Sequence, residues 1–248
     1  MADLSRGWNA FNGSVRVIMI DFSNIKGICF DLDDTLWECA PVIERAEQRF
    51  YTWLDSHYPR ITARYDYRAL IDSRIDHFGA HPQWHHDLTF LRKQWLGLLA
   101  DETGYDHSLV EPAFKVFWQA RNEVEFFAQS EDVLDQLTGL YRLGSMTNGN
   151  ADVYHIGIGH YFDFVITAAE IGQAKPHPEI FQAAMTLAGV PAEQLLHVGD
   201  DPERDILGAN ALGIRTVWVN RDLRPWPGGK PPDAEIRNIS ELPGLLEL

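Results

Sequence analysis

The chain has 248 residues, 45% of them hydrophobic, and a formal net charge of −15. That is enough apolar material for a substantial core, as one large domain or a domain with an insertion, and it excludes disorder over most of the length. The acidic balance excludes nucleic acid as a partner, because backbone phosphates are held by clustered Lys and Arg, and no such cluster occurs; an acidic protein that handles phosphate needs a metal ion and a few well-placed basic residues at its site.

Met1 to Ser14 carries neither a basic n-region nor an apolar h-region, and no run of about 18 apolar residues follows, so the expectation is a cytoplasmic protein with no membrane contact. Turn-prone Asn9, Asn12 and Gly13 mark this segment as accessory, with Met19 an alternative start. Ile25 to Phe30 is short, apolar and followed at once by acidic residues, as in a buried strand that ends in a functional turn. Cys29 lies inside that run as a small buried hydrophobe; with Cys39 the only other cysteine, no disulfide framework is expected.

From about Val42 to Glu125 the apolar residues recur with helical period, as in Phe50, Trp53 and Leu54, or Leu88, Leu91, Trp95 and Leu98. After Ser130 strands and helices alternate: helix Asp132–Leu140, strands Arg142–Met146 and Phe164–Thr167, helix Pro178–Ala188, strand Leu195–Val198, helix Pro202–Leu212 and strand Arg215–Val219. The Pro/Gly-rich stretch from Pro225 to Pro232 reads as a surface loop before a last short strand and helix. The pattern predicts an α/β fold, a Rossmann-like parallel sheet core (residues 1–40 and 130–248) with an inserted all-helical cap domain (41–129). Ligands of open parallel sheets bind beyond the carboxyl ends of the strands, so the residues just after each strand carry the functional reading.

Four such segments stand out. Asp31 and Asp33 follow the first strand two residues apart, so both can project to one side. Thr147, Asn148 and Gly149 follow the second and supply a hydroxyl, an amide and a flexible turn for phosphate oxygens. Lys175 precedes Pro176, in a segment whose prolines restrict the backbone. Asp200, Asp201 and Asp205 follow the Leu195–Val198 strand, where carboxylates can hold a hard cation; Asp201 is also placed to cap the helix that begins with Pro202.

In order and context these segments resemble the haloacid dehalogenase superfamily, from about Ile25 to Leu248. The resemblance implies that Asp31 is the nucleophile, Asp33 the general acid/base, and Thr147 and Lys175, with Asn148, the phosphate-binding residues. It also implies Mg2+ held by Asp31, Asp200 and the main-chain carbonyl of Asp33, with Asp201 and Asp205 as supports. A phosphatase forming a phospho-aspartate follows, acting on a small phosphorylated metabolite. Carbon–halogen hydrolases share the superfamily, but a halide leaves without a proton, so Asp33 favours phosphate. A non-catalytic binding protein on the same fold is disfavoured by the complete residue set.

The helical block resembles the cap placed over the site in many members, where closure excludes water and selects the leaving group. His85, Thr89 and Arg92 are expected on one helical face, and His86, Asp87 or Arg92 to touch substrate or order the cap. His77, His81 and His85 have a spacing that invites zinc, but Gly79 and Pro82 interrupt the helix such a site would need. The stretches Asp31–Trp37, Met146–Ala151, Gly159–Val165 and Leu196–Asp201 look like bacterial phosphatases of flavin mononucleotide and of 5-amino-6-(5-phospho-D-ribitylamino)uracil, which implies a ribityl or nucleotide-like ester; Gln173-Ala174 stands where a serine hydroxyl would precede the lysine. A monomer or homodimer is expected.

Overall fold

The computed structural model describes residues 21–248, so the readings of the N-terminal segment and of Met19 lie outside the described residues. The elements in order are β1 (Gly27–Phe30), α1 (Cys39–His57), α2 (Pro59–Arg64), α3 (Tyr67–Gly79), α4 (Leu88–Thr103), α5 (Val110–Arg121), α6 (Ser130–Leu137), β2 (Arg142–Thr147), α7 (Val153–Ile156), β3 (Phe164–Thr167), α8 (Ala168–Ile171), α9 (Pro178–Ala188), β4 (Leu195–Gly199), a π-helical turn (Pro202–Leu207), α10 (Gly208–Ala211), β5 (Arg215–Val219), β6 (Ala234–Ile236) and α11 (Leu242–Leu245).

The six strands form one sheet in the order β3-β2-β1-β4-β5-β6, every pairing parallel. β1 is the central strand and is covered on both faces, which is why it reads as a continuous apolar run. Ile28 and Phe30 are fully buried, and each such side chain contributes about 1.5–3 kcal/mol of burial. From β1 the chain moves outward to β3, then returns to the other side of β1 at β4. The order therefore reverses between β1 and β4, and the crevice beyond their carboxyl ends is where Asp31 and Asp200 stand.

Helices α1 to α5 separate β1 from the rest of the sheet and bury a cluster of their own. Ala46, Phe50 and Leu54 of α1, spaced four apart, pack with Trp95 and Leu99 of α4 and with Ala113, Phe117 and Ala120 of α5. In the centre of this block Glu47 pairs with Arg92 at 2.5 Å and Arg74 at 3.1 Å, and Arg92 lies 3.3 Å from the ring centre of Phe117. The expected face of His85, Thr89 and Arg92 does not form. Asp87 accepts the amide of Phe90 and starts α4 at Leu88, which leaves His85 in the preceding turn and turns Arg92 inward. The helix expected over Pro202–Leu212 is present, but its first six residues are π-helical.

Candidate active site

Asp31, Thr147 and Asp200 stand at strand ends, Lys175 in the loop before α9 and Asp205 in the π-helical turn. Asp31 follows β1, and its amide donates to Val198 O of β4 at 2.9 Å, which continues the ladder one residue past the strand. Asp34 then takes a left-handed backbone (φ 60°), a conformation that aspartate tolerates, and accepts the amide of Cys39. This sharp turn brings Trp37 back over Asp33, whose Oδ1 accepts the indole N–H at 2.8 Å.

Lys175 reaches the centre from the loop before α9. Its Nζ donates to Asp31 Oδ1 at 2.5 Å, Asp205 Oδ1 at 2.7 Å and Met146 O at 3.0 Å, so all three protons are used. Asn148 fixes the loop that carries it. The Asn148 carboxamide accepts the Lys175 amide at 2.7 Å and donates to the Lys175 carbonyl at 2.9 Å. The Asn148 side chain is therefore a clamp on that backbone, with one of its two amide protons left to donate. Thr147 is buried, and its hydroxyl accepts the Gly149 amide at 2.9 Å, which leaves its own proton to donate.

Asp205 and Asp201 differ sharply. Asp205 is 1% exposed and accepts from Lys175, from His197 Nε2 at 2.9 Å and from the amide of Asp201 at 3.0 Å. Those donors hold its carboxyl below the usual range despite its burial, and Lys175 is pushed up, because Asp205 and Asp31 outweigh the desolvation of its charge. The π-helical turn and Gly199 make the approach possible, since a Cβ on Gly199 would lie 2.4 Å from Asp205 Cγ. Asp201 instead caps the turn, accepting the amides of Glu203 and Arg204.

Asp31, Asp200 and Asp205 each offer an oxygen within 4.8 Å of the others. One ammonium among three carboxylates leaves excess negative charge. Burial, with Asp205 and Asp200 adding to it, pushes Asp31 up against the pull of Lys175. Burial, with Asp205 and Asp34 beside it, pushes Asp200 up to about 7. The main chain of Asp200 is anchored by Trp218 Nε1 at 2.8 Å and Arg224 at 2.7 Å, while among the described residues its carboxylate has only Arg224 at 3.6 Å. Hard oxygen donors crowded at a strand end, two of them penalised as anions, fit a small divalent cation.

The residues expected to touch substrate or order the cap make their contacts within the helical block. Arg92 is buried in the block against Glu47, Asp87 caps α4, and the His86 ring lies 5.8 Å from that of Trp84. Thr89 does reach the sheet loop, at 3.4 Å from Asn150. His81 and His85 direct ring nitrogens to the carbonyls of His77 and Phe78. Three site residues went unread in sequence: His197 behind Asp205, Arg224 beside Asp200, and Arg121, whose guanidinium meets Asp33 Oδ2 at 2.5 Å. A histidine inside an otherwise apolar run is the available signal for His197, while Arg121, among Gln119, Asn122 and Glu123, offers none.

The haloacid dehalogenase-like hydrolase family model matches residues 25–213. The chain belongs to the haloacid dehalogenase-like hydrolases. It is an enzyme of that class, and its core and inserted helices follow the family's architecture. It is 32% identical over 233 residues to the 5-amino-6-(5-phospho-D-ribitylamino)uracil phosphatase YigB of Escherichia coli, covering 90% of this chain and 96% of that one. It is 28% identical to the glyceraldehyde 3-phosphate phosphatase of Methanopyrus kandleri, covering 88% and 95%. Among solved structures, that of a 2-haloacid dehalogenase from Pseudomonas syringae superposes with a TM-score of 0.84 at 37% identity, covering 90% of this chain and 98% of that one. Among the described residues no helix is long and apolar enough to cross a membrane.

Proposed function

We propose that this hydrolase is a magnesium-dependent phosphomonoesterase that forms a phospho-aspartate on Asp31, with a ribityl- or nucleotide-type metabolite as substrate and the cytoplasm as its location. The observation that carries the reading is the pairing of two carboxylates with different surroundings. Asp31 lies against Lys175, and Asp33, two residues on, is held off that centre by Trp37 and Arg121.

An Asp31 oxygen attacks phosphorus in line, the P–O ester bond breaks, and the leaving alkoxide takes a proton from Asp33. Lys175 and the Thr147 hydroxyl stabilise charge on the equatorial oxygens. Water then attacks the phosphorus of the acyl phosphate, Asp33 takes its proton, and phosphate leaves with Asp31 regenerated. Asp31, Asp200 and the main-chain carbonyl of Asp33 would hold magnesium, whose charge offsets the repulsion between the carboxylate and the phosphoryl oxygens. Asp205 and His197 hold Lys175 in place. The helical block, residues 41–129, acts as the cap over the core formed by the remaining residues.

The names of the relatives support a small phosphorylated substrate, and that of the Escherichia coli phosphatase supports the ribityl class. The likeness to a 2-haloacid dehalogenase favours a second reading, displacement of halide by Asp31. Asp33 separates the two, since halide departure has no use for a positioned acid. The test is a panel of flavin mononucleotide, nucleotides, sugar phosphates and 2-haloacids, assayed for phosphate and halide with and without magnesium. Magnesium-dependent phosphate release led by flavin mononucleotide is expected; halide release alone overturns the reaction, and much faster hydrolysis of unrelated sugar phosphates overturns the substrate class.

A further inference from the structure

Arg121 is the last residue of α5, where the helical block returns to the sheet, and it is 1% exposed. Its one side-chain hydrogen bond among the described residues is to Asp33, 88 residues earlier in the chain, through Nη2 to Oδ2 at 2.5 Å. The other Asp33 oxygen accepts from Trp37, so both are fixed while the side chain stays 20% exposed toward the crevice. Gly149 leaves room for this meeting: a Cβ there would lie 3.0 Å from Asp33 Oδ2, 3.3 Å from Thr147 Oγ1 and 3.4 Å from Arg121 Nη2. Arg121 Nη1 is buried with no partner among the described residues, a donor whose loss of water is uncompensated by the protein alone.

The residues after Arg121 tie the same point to both halves. Asn122 Oδ1 accepts the amide of Asp152 at 2.7 Å, next to the Thr147–Asn150 turn. Glu123 meets Arg49 of α1 at 2.6 Å, and its carbonyl accepts from Arg45. A shift of α5 relative to the sheet therefore moves the guanidinium that holds Asp33.

We propose that Arg121 is the positioning residue for proton transfer by Asp33, and that it links the placement of the helical block to the aim of that acid. The inference rests on the phosphatase reading above. With Arg121 in place, the Asp33 carboxyl is held at the crevice that takes the ester, and cleavage is helped in proportion to the leaving oxygen's need for a proton. A residue that merely braced the fold would affect all leaving groups alike.

The test compares kcat/KM for phenyl phosphate and 4-nitrophenyl phosphate, similar in shape but leaving as a strongly and a weakly basic phenolate. In Arg121→Gln the loss on phenyl phosphate should exceed that on 4-nitrophenyl phosphate by about tenfold or more, part of the roughly 10²–10⁴ that a positioned acid supplies. Arg121→Lys, which keeps the charge but not the planar fork, should fall between and serves if the glutamine variant fails to fold. Added to Asp33→Asn, the Arg121 change should cost no further selectivity. Equal losses on both esters, or none, overturn the proposal while leaving the phosphatase reading intact. Wild type that releases phosphate from neither ester nor from flavin mononucleotide overturns both.

Discussion

Asp205→Asn removes one charge with almost no change in volume, at the point where the Lys175 ammonium, the His197 ring and the Asp201 amide converge. The amide that replaces the carboxylate offers one acceptor where three donors meet, and Lys175 is left buried with Asp31 as its only counter-ion. Breaking one side of a buried pair costs about 3–5 kcal/mol. At roughly 2–4 °C per kcal/mol for a chain of this size, the melting temperature should fall by about 6–20 °C. Since Asp205 is held below the usual carboxylate value of 3.8, its contribution is present above that pH and fades in stronger acid, where wild type and variant should converge. Phosphate release should fall about a hundredfold or more as Lys175 loses its aim. Asp201→Asn is the paired control, because asparagine caps a helical turn nearly as well as aspartate; it should change stability by less than about 0.5 kcal/mol. Thermal melts and steady-state phosphate release on both variants decide the matter. A silent Asp205→Asn, or an Asp201→Asn equally damaged, would refute the assignment of Asp205 as the holder of Lys175.

Gly199→Ala should reproduce part of the Asp205 loss, since the added methyl falls 2.4 Å from Asp205 Cγ; a destabilisation of about 1–3 kcal/mol in denaturant melts is expected. Asp200, raised to about 7, holds its proton more tightly folded than unfolded. Its metal-free contribution to stability is therefore full below 3.8 and lost as pH rises through about 7. Magnesium competes with that proton, so the rise in melting temperature on adding it should grow from pH 6 to pH 8, and a flat response would count against Asp200 as a ligand. Glu47→Gln leaves Arg92 and Arg74 short of a buried counter-ion inside the helical block; it should lower the melting temperature while leaving the ratio of kcat/KM values on the two aryl esters unchanged.

The parts of the fold set by local chemistry were legible in the sequence. The buried run before Asp31 and the strand-helix alternation after Ser130 locate the sheet, because a strand covered on both faces must be apolar throughout. The strand-end residues Asp31, Thr147 and Asp200 follow from that placement, and Lys175 stands out beside its proline in the loop before α9. What sequence does not carry is which polar groups meet across long separations. Arg121 and Asp33, or Lys175 and Asp205, stand 88 and 30 residues apart and are joined by packing alone. Asn148 and Arg92 illustrate the same point in reverse. Each has the chemistry to bind an anion, yet Asn148 clamps the Lys175 backbone and Arg92 is spent on Glu47. The boundary of α4 turned on one capping aspartate, which shifted the face of the helix that Arg92 presents.

The central claim is phosphoryl transfer to Asp31. Wild type and Asp31→Asn, each shown folded by its melt, should be incubated with flavin mononucleotide and 4-nitrophenyl phosphate, with magnesium and with chelator, and phosphate measured. Release by wild type that needs magnesium, and is lost by at least about a thousandfold in Asp31→Asn, is the predicted result. Substantial magnesium-dependent release from the asparagine variant would contradict the phospho-aspartate and with it the account of the site.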